Sequence, residues 1–143
     1  MWKIAALAGA GLLVGGCSLL AAPSAEVGDC LDIDVNSAQV DTLEGFDCST
    51  EHDVEVYAKS NLSIDGDYDQ TAVDAATVEV CRDAFVGYVG VEYEASIYEV
   101  FYLFPDADGW ETGDREALCF VYPPDTSTGG ALRSTGSVKG SNT

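Results

Sequence analysis

Few side chains in this sequence have the type and spacing needed for chemistry, and the nearest such pair is His52 and Glu55. A histidine beside a carboxylate can transfer protons or bind a metal ion. Residues 52–58, HDVEVYA, alternate polar and apolar side chains as a half-buried strand does. Side chains three apart on a strand point to opposite faces, so the sequence predicts a structural histidine, hydrogen-bonded where this strand begins.

An acidic loop further along the chain starts like a calcium-binding loop, with aspartates at alternate positions Asp65, Asp67 and Asp69. Such a loop needs a glycine at its sixth position and a closing glutamate at its twelfth. Gln70 and Ala76 occupy those two positions here. The sequence therefore predicts no metal site in this loop, and nothing in it calls for a cofactor.

A second loop carries Trp110 followed closely by Asp114 and Arg115. We interpret these residues as a loop anchor, with the indole packed over the turn and Arg115 held by a carboxylate. Binding residues concentrate on loops that a rigid scaffold supports. Trp110, Asp114 and Arg115, together with His52, are therefore the candidate binding residues.

The elements that must position these residues are one helix and several short strands. Residues 69–90 carry apolar side chains at three- and four-residue steps, with charged side chains opposite and Cys81 on the apolar side. The remaining stretches rich in alternating, β-branched or aromatic residues are predicted as strands, at 27–33, 40–46, 52–58, 93–104 and 115–122. This pattern predicts an α+β fold in which a small, mostly antiparallel sheet packs on one main helix.

The N-terminus has the pattern of an export signal. Lys3 precedes an apolar run from Ile4 to Val14, which is too short to cross a bilayer because a spanning helix needs about 20 residues. Residues 14–17, VGGC, match the lipobox of bacterial lipoproteins, so Cys17 is predicted to be the lipidated N-terminus. The alternative is an ordinary secretory signal with an accidental cysteine.

Length and composition bound the rest of the chain to one domain with flanking segments. We predict a signal peptide at residues 1–16, a lipidated tether at 17–25, a folded domain at 26–123 and a flexible tail rich in Gly, Ser and Thr at 124–143. The 25 acidic residues far outnumber the 6 basic ones, and this excess repels phosphate backbones. Nucleic-acid binding is therefore excluded from the expected functions.

Four cysteines remain in the exported domain once Cys17 carries lipid: Cys30, Cys48, Cys81 and Cys119. In an oxidising compartment this number predicts two disulfides, for which three pairings are possible. The competing interpretation is a zinc site, but the sequence has no C-x-x-C spacing and only one histidine.

The order and spacing of these features resemble those of the septum formation domain family, whose exported or membrane-tethered members are found mainly in Gram-positive actinobacteria. The resemblance covers residues 26–123, with one departure at Glu51, where the family usually has proline. It rests on GDC at 28–30, Cys48, HDVEVY at 52–57, Cys81 with Phe85 and Tyr88-Val89-Gly90, Tyr93, Pro105, Trp110 with Gly113-Asp114-Arg115, and Cys119. Beyond this range, TGSVKG at 135–140 resembles a segment that often follows such domains.

The resemblance implies a cellular process in which the protein takes part, but it does not imply a chemical reaction. It favours pairing Cys30 with Cys48 and Cys81 with Cys119, and it links the protein to cell division. We expect a non-catalytic module, lipid-anchored on the outer face of the cell membrane, that binds an envelope protein; the resemblance implies the division septum as the place. The alternatives are a lipoprotein that binds a small ligand or divalent cation, and a hydrolase that uses His52.

The excess of acidic residues predicts a stability that depends on salt. Without Lys3 only five cations offset 25 carboxylates, so neighbouring charges repel each other in the folded chain. Molar sodium chloride shortens the Debye length from about 10 Å to about 3 Å, and should raise the melting temperature measured by circular dichroism. A further, saturable rise with calcium at constant ionic strength would instead support the cation-binding alternative.

Overall fold

The computed structural model describes residues 24–37, 40 and 42–143. Cys17, the signal sequence and most of the predicted tether lie outside the described residues, as does part of the strand predicted at 40–46. None of the helices within the described ranges has the length and apolar character that a membrane span requires.

The long helix predicted from the sequence is α1, Gln70–Val89. The side chain of Asp69 caps it by accepting a hydrogen bond from the backbone N–H of Ala72. Gly90 ends it at φ +101°, a left-handed conformation that glycine adopts without strain. The side chains buried from solvent follow the helical period of the sequence: Val73, Thr77, Cys81, Phe85, Tyr88 and Val89.

Four strands form one antiparallel sheet in the order β1-β2-β4-β3. They are β1, Cys30–Leu31, β2, Val54–Asn61, β3, Glu99–Leu103, and β4, Glu116–Tyr122. The long strand predicted at 93–104 is shorter, because a 3-10 turn at Tyr93–Ala95 precedes it. A short helix that the sequence did not indicate, α2, Ala107–Glu111, lies within the predicted loop at 105–114 and begins at the capping residue Asp106. The α+β class, the antiparallel sheet and the main helix are confirmed.

The sheet is covered on both faces, which the alternation in β2 did not predict. On one face α1 packs against Tyr57 of β2 and Val121 of β4. On the other face the chain before β2 packs, through Ala25, Leu31 and Ile33, against apolar side chains of β2 and β4. Tyr57 and Glu55 are therefore buried, although a half-buried strand would have exposed both to water.

Two disulfides join the layers, and the pairing implied by the family resemblance is confirmed. Cys30 of β1 is bonded to Cys48 with a Cα–Cα distance of 5.1 Å. Cys81 of α1 is bonded to Cys119 of β4 with a Cα–Cα distance of 5.5 Å. The second bond fastens the helix to the central part of the sheet.

Residues 124–143 differ from the flexible tail expected from their Gly, Ser and Thr content. The backbones of Ser134 and His52 exchange two hydrogen bonds, and Gly140 N–H donates to the carbonyl of Tyr88. Val138 is buried in the same core cluster as α1. The composition of the segment was misleading, because one buried valine and a series of backbone hydrogen bonds hold it against the domain.

Deleting residues 134–143 should therefore destabilise the domain rather than leave it unchanged. Loss of the buried Val138 and of donors to a buried carboxylate should lower the free energy of unfolding by about 3 kcal/mol. Urea denaturation followed by tryptophan fluorescence measures this difference. Thr135→Ala, at an exposed position of the same segment, is the control and should stay within about 0.5 kcal/mol of the parent. If the deletion leaves the urea denaturation midpoint unchanged, the segment does not stabilise the domain and the interpretation as a mobile tail is correct.

Candidate functional site

The carboxylate of Glu55 lies inside the domain, with 1% of the residue exposed. Its Oε1 accepts hydrogen bonds from the hydroxyls of Tyr88, at 2.6 Å, and Ser137. Its Oε2 accepts a hydrogen bond of 2.7 Å from the backbone N–H of Val138. A carboxylate has about four acceptor positions, so three donors leave it little capacity to act as a base or to bind a ligand.

Tyr88 is held as a proton donor to this carboxylate. Burial, and then the hydrogen bond to Glu55, raise the pKa of the Tyr88 hydroxyl well above its ordinary value. The hydroxyl therefore stays protonated across the physiological pH range and continues to donate to Glu55. The contact ties α1 to β2, and Ser137 and Val138 tie the C-terminal segment to the same point.

His52 lies close to Glu55, so the expectation that the two side chains point apart is wrong. Ring and carboxylate atoms of the two residues lie within 4.8 Å of each other and of the sulfurs of Cys30 and Cys48. The alternation argument fails because β2 begins only at Val54, and a bend at Asp53 separates His52 from the strand. The ring Nδ1 is 2.7 Å from the carbonyl oxygen of Thr50, as a structural histidine hydrogen-bonded at the strand entry requires.

This cluster has the ligand types of a zinc site, but the disulfide occupies both sulfurs. Zinc binds cysteine as the thiolate, which the bonded Cys30 and Cys48 cannot provide. Only His52 and Glu55 then remain as ligands, and Glu55 already accepts three hydrogen bonds. The arrangement acts as a buried structural junction.

The hydrogen bonds of this junction do not activate Ser137 as a nucleophile. Ser137 is exposed and borders an open cleft that Cys48 also lines. Activation needs the hydroxyl to donate to a free base, usually a histidine. Ser137 instead donates to Glu55, which two further donors hold in place.

The loop around Trp110 is a structural anchor, as the sequence predicted, but Arg115 has different partners. Trp110 is buried, and its indole N–H donates to the carbonyl of Gly66 at 3.0 Å. The guanidinium of Arg115 stacks 3.5 Å above the indole ring and donates to the backbone carbonyls of Trp110 and Asp114. Carbonyls therefore replace the carboxylate that we expected to hold Arg115.

The candidate binding residues do not form one site. His52 precedes the first residue of β2, whereas the end of β2 at Asn61 pairs with Glu116, next to Arg115 and Asp114. The eight residues of β2 separate the two places by about 25 Å. His52 belongs to the junction at Glu55, and Trp110, Asp114 and Arg115 belong to the opposite end of the sheet.

An apolar groove between α1 and β3 is an open site that sequence reasoning missed. Its volume is about 210 Å³. Its walls and floor come from the helix, the 3-10 turn and two strands: Tyr57, Val78, Cys81, Arg82, Phe85, Tyr93, Glu94, Val100 and Tyr102. The density of aromatic residues at 93–104 was a signal for it, but the register that places them beside α1 cannot be read from the sequence.

The rim of the groove is acidic. The hydroxyl of Tyr93 donates to Glu99 at 2.6 Å, and this bond, with burial, raises the pKa of Tyr93 to about 12. Burial, and then the charge of nearby Asp74, raise the pKa of Tyr102. Glu94 and Arg82, whose side chains are both exposed to solvent, form an ion pair of 2.6 Å. The groove thus combines an apolar interior with carboxylates around its opening.

Comparison with known proteins supports the resemblance seen in the sequence. A family model described as "Septum formation" matches residues 27–143. A Mycobacterium tuberculosis protein named "Putative lipoprotein LppN" is 31% identical over 118 residues, which cover 76% of this chain and 62% of that protein. A protein of the same name from Mycobacterium bovis matches to the same extent. The chain spans less than two thirds of the length of these curated relatives, and no solved structure matches it.

Glu55→Ala should be among the most destabilising substitutions in the domain. It leaves the Tyr88 hydroxyl and the Val138 N–H without their buried acceptor, so we expect a loss of about 4 kcal/mol in the free energy of unfolding. Tyr88→Phe removes one donor and should cost about 1.5 kcal/mol. Urea denaturation measures both, with the exposed Glu79→Ala as the control. Equal midpoints for Glu55→Ala and Glu79→Ala would contradict the role of this carboxylate.

Proposed function

The chain belongs to the septum formation family, and from that premise we propose that it is a non-catalytic, lipid-anchored module on the outer face of the cell membrane. It acts by binding another protein of the envelope. The name of the family suggests the division septum as the place where it acts.

The observation that carries this proposal is the contrast between the polar clusters and the groove. The cluster around Glu55 contains the residue types most similar to those of a catalytic site. Its side chains are hydrogen-bonded to one another and stabilise the fold. The groove between α1 and β3 remains open, and apolar and aromatic side chains line most of it. Binding surfaces of proteins are enriched in aromatic residues at an apolar centre with a polar rim.

The lipid anchor is supported by the lipobox at residues 14–17 and by the lipoprotein names of the mycobacterial relatives. Ala25 is already buried in the core, so the folded domain begins soon after the proposed lipidated Cys17. The seven steps of chain from Cys17 to Ser24 span at most about 25 Å when fully extended. The module would therefore meet partners close to the membrane surface.

The charge of the domain also bears on its orientation. A net charge of −19 repels an anionic lipid surface, so the domain stands away from the bilayer to which it is attached. Because the lipid surface repels the domain, the faces of the domain remain accessible to a protein partner. The same negative charge increases the association rate of a cationic partner by electrostatic steering.

Cys17→Ala tests the anchor. The variant should appear in the soluble fraction instead of the membrane fraction when cells are fractionated and probed by immunoblot, because it lacks the residue that accepts the lipid. It should keep its melting temperature, since the described domain starts at Ser24. Cys17→Ser serves as a second, polar variant with the same expectation. Retention of processed Cys17→Ala in the membrane fraction would overturn the lipid-anchored function.

A further inference from the structure

We infer that the outer edge of β3 and the adjoining groove together bind an extended, cationic peptide segment that carries one large apolar side chain. This inference rests on the proposed binding function and specifies the partner. The peptide would add to the sheet as a fifth strand and place its apolar side chain between α1 and β3.

The first observation is the free edge of the sheet. β3 is the last strand in the order, and within the described part of the chain it pairs with β4 alone. Its other edge presents backbone N–H and C=O groups in the way that proteins use for strand addition. The opposite edge of the sheet is less open, because Cys30 of β1 forms an additional bridge to Phe46.

The second observation is that the groove borders this same edge. Val100 and Tyr102 of β3 line it, while the alternate residues Phe101 and Leu103 pack on the other face of the sheet. A cavity of about 150 Å³ with apolar walls is large enough to bind benzene, and this groove measures about 210 Å³. It therefore has room for one aromatic or large aliphatic side chain from an added strand.

The third observation is the charge around the groove, which selects the occupant. Asp74, Glu94 and Glu99 lie beside its aromatic walls, and Arg82 is the cation among its lining residues. A second copy of this chain would bring the same carboxylates and a further net charge of −19 to the contact. Charge complementarity thus favours a basic segment over self-association.

The probe is a synthetic capped peptide, Thr-Lys-Thr-Phe-Thr-Lys-Thr, titrated into the full-length lipidated protein in neutral detergent micelles and followed by fluorescence anisotropy. Alternation places Phe and both Lys on the same side of the strand, so the cations flank the groove near its carboxylates while Phe enters it. We expect saturable binding that weakens in high salt. Replacing Phe by Ser should weaken binding by about tenfold or more, and replacing every Lys by Glu should abolish it.

Two variants of α1 give a matched pair on the protein side. Val78 and Val86 are similarly exposed, at 40% and 39%, but only Val78 lines the groove. Val78→Arg should weaken binding by about tenfold or more, since it obstructs the groove and repels the peptide, whereas Val86→Arg should change it by less than about twofold. Circular dichroism confirms that both variants keep the parent melting temperature.

Peptide backbone variants test the strand addition separately. Methylating alternate amide nitrogens gives two peptides, and only the set of N–H groups that faces β3 is needed for pairing. One of these peptides should therefore lose binding while the other keeps it. Equal binding by both peptides would overturn the strand addition, and equal binding to Val78→Arg and Val86→Arg would overturn the groove.

Three further results would contradict the inference: no binding of the parent peptide, binding of the glutamate peptide equal to that of the lysine peptide, or a dimer by sedimentation that Val78→Arg abolishes. The last result would identify a second copy as the occupant. Each of these leaves the lipid-anchored function intact if Cys17→Ala is still released from the membrane. A Cys17→Ala protein that has lost its signal peptide, stays membrane-bound and still binds the peptide would overturn the proposed function alone.

Discussion

The fold depends on one buried carboxylate, Glu55, which is held by three hydrogen bonds. A charged group inside a protein is costly unless hydrogen bonds replace the water that it loses. For Glu55 these bonds come from two distant parts of the chain: Tyr88 near the end of α1, and Ser137 and Val138 in the C-terminal segment. In the native fold, the burial of Glu55 in β2 therefore depends on both the helix and the last residues of the chain.

This requirement explains where sequence reasoning succeeded and where it failed. The helix could be predicted almost to the residue, because its apolar period is a local signal, and the structure places its caps, Asp69 and Gly90, at the two bounds of the predicted segment. The family resemblance supplied the disulfide pairing. The half-buried interpretation of β2 failed because alternation reports side-chain polarity, and a glutamate that is buried by distant donors has the same polarity as one in water.

The C-terminal segment and the groove were missed for a related reason. Residues 124–143 have the composition of a flexible tail, yet Val138 and a few backbone contacts hold them on the domain. The groove needs α1, the 3-10 turn at Tyr93–Ala95 and β3 to come together in space. Contacts between distant segments decide both features, and no local pattern encodes such contacts.

The Cys30–Cys48 disulfide also bears on how the domain would respond to a pull from the membrane. Mechanical tension along the N-terminal segment would enter the fold at Ser24, where hydrogen bonds to Glu116 and Lys59 are the first to be loaded. Once the contacts of residues 24–29 break, the tension reaches Cys30, and the covalent bond passes it directly to Cys48. The six residues before that bond could extend by at most about 20 Å. The bridge thus takes residues 31–47 out of the path of the force, so this stretch cannot be pulled straight while the disulfide is intact.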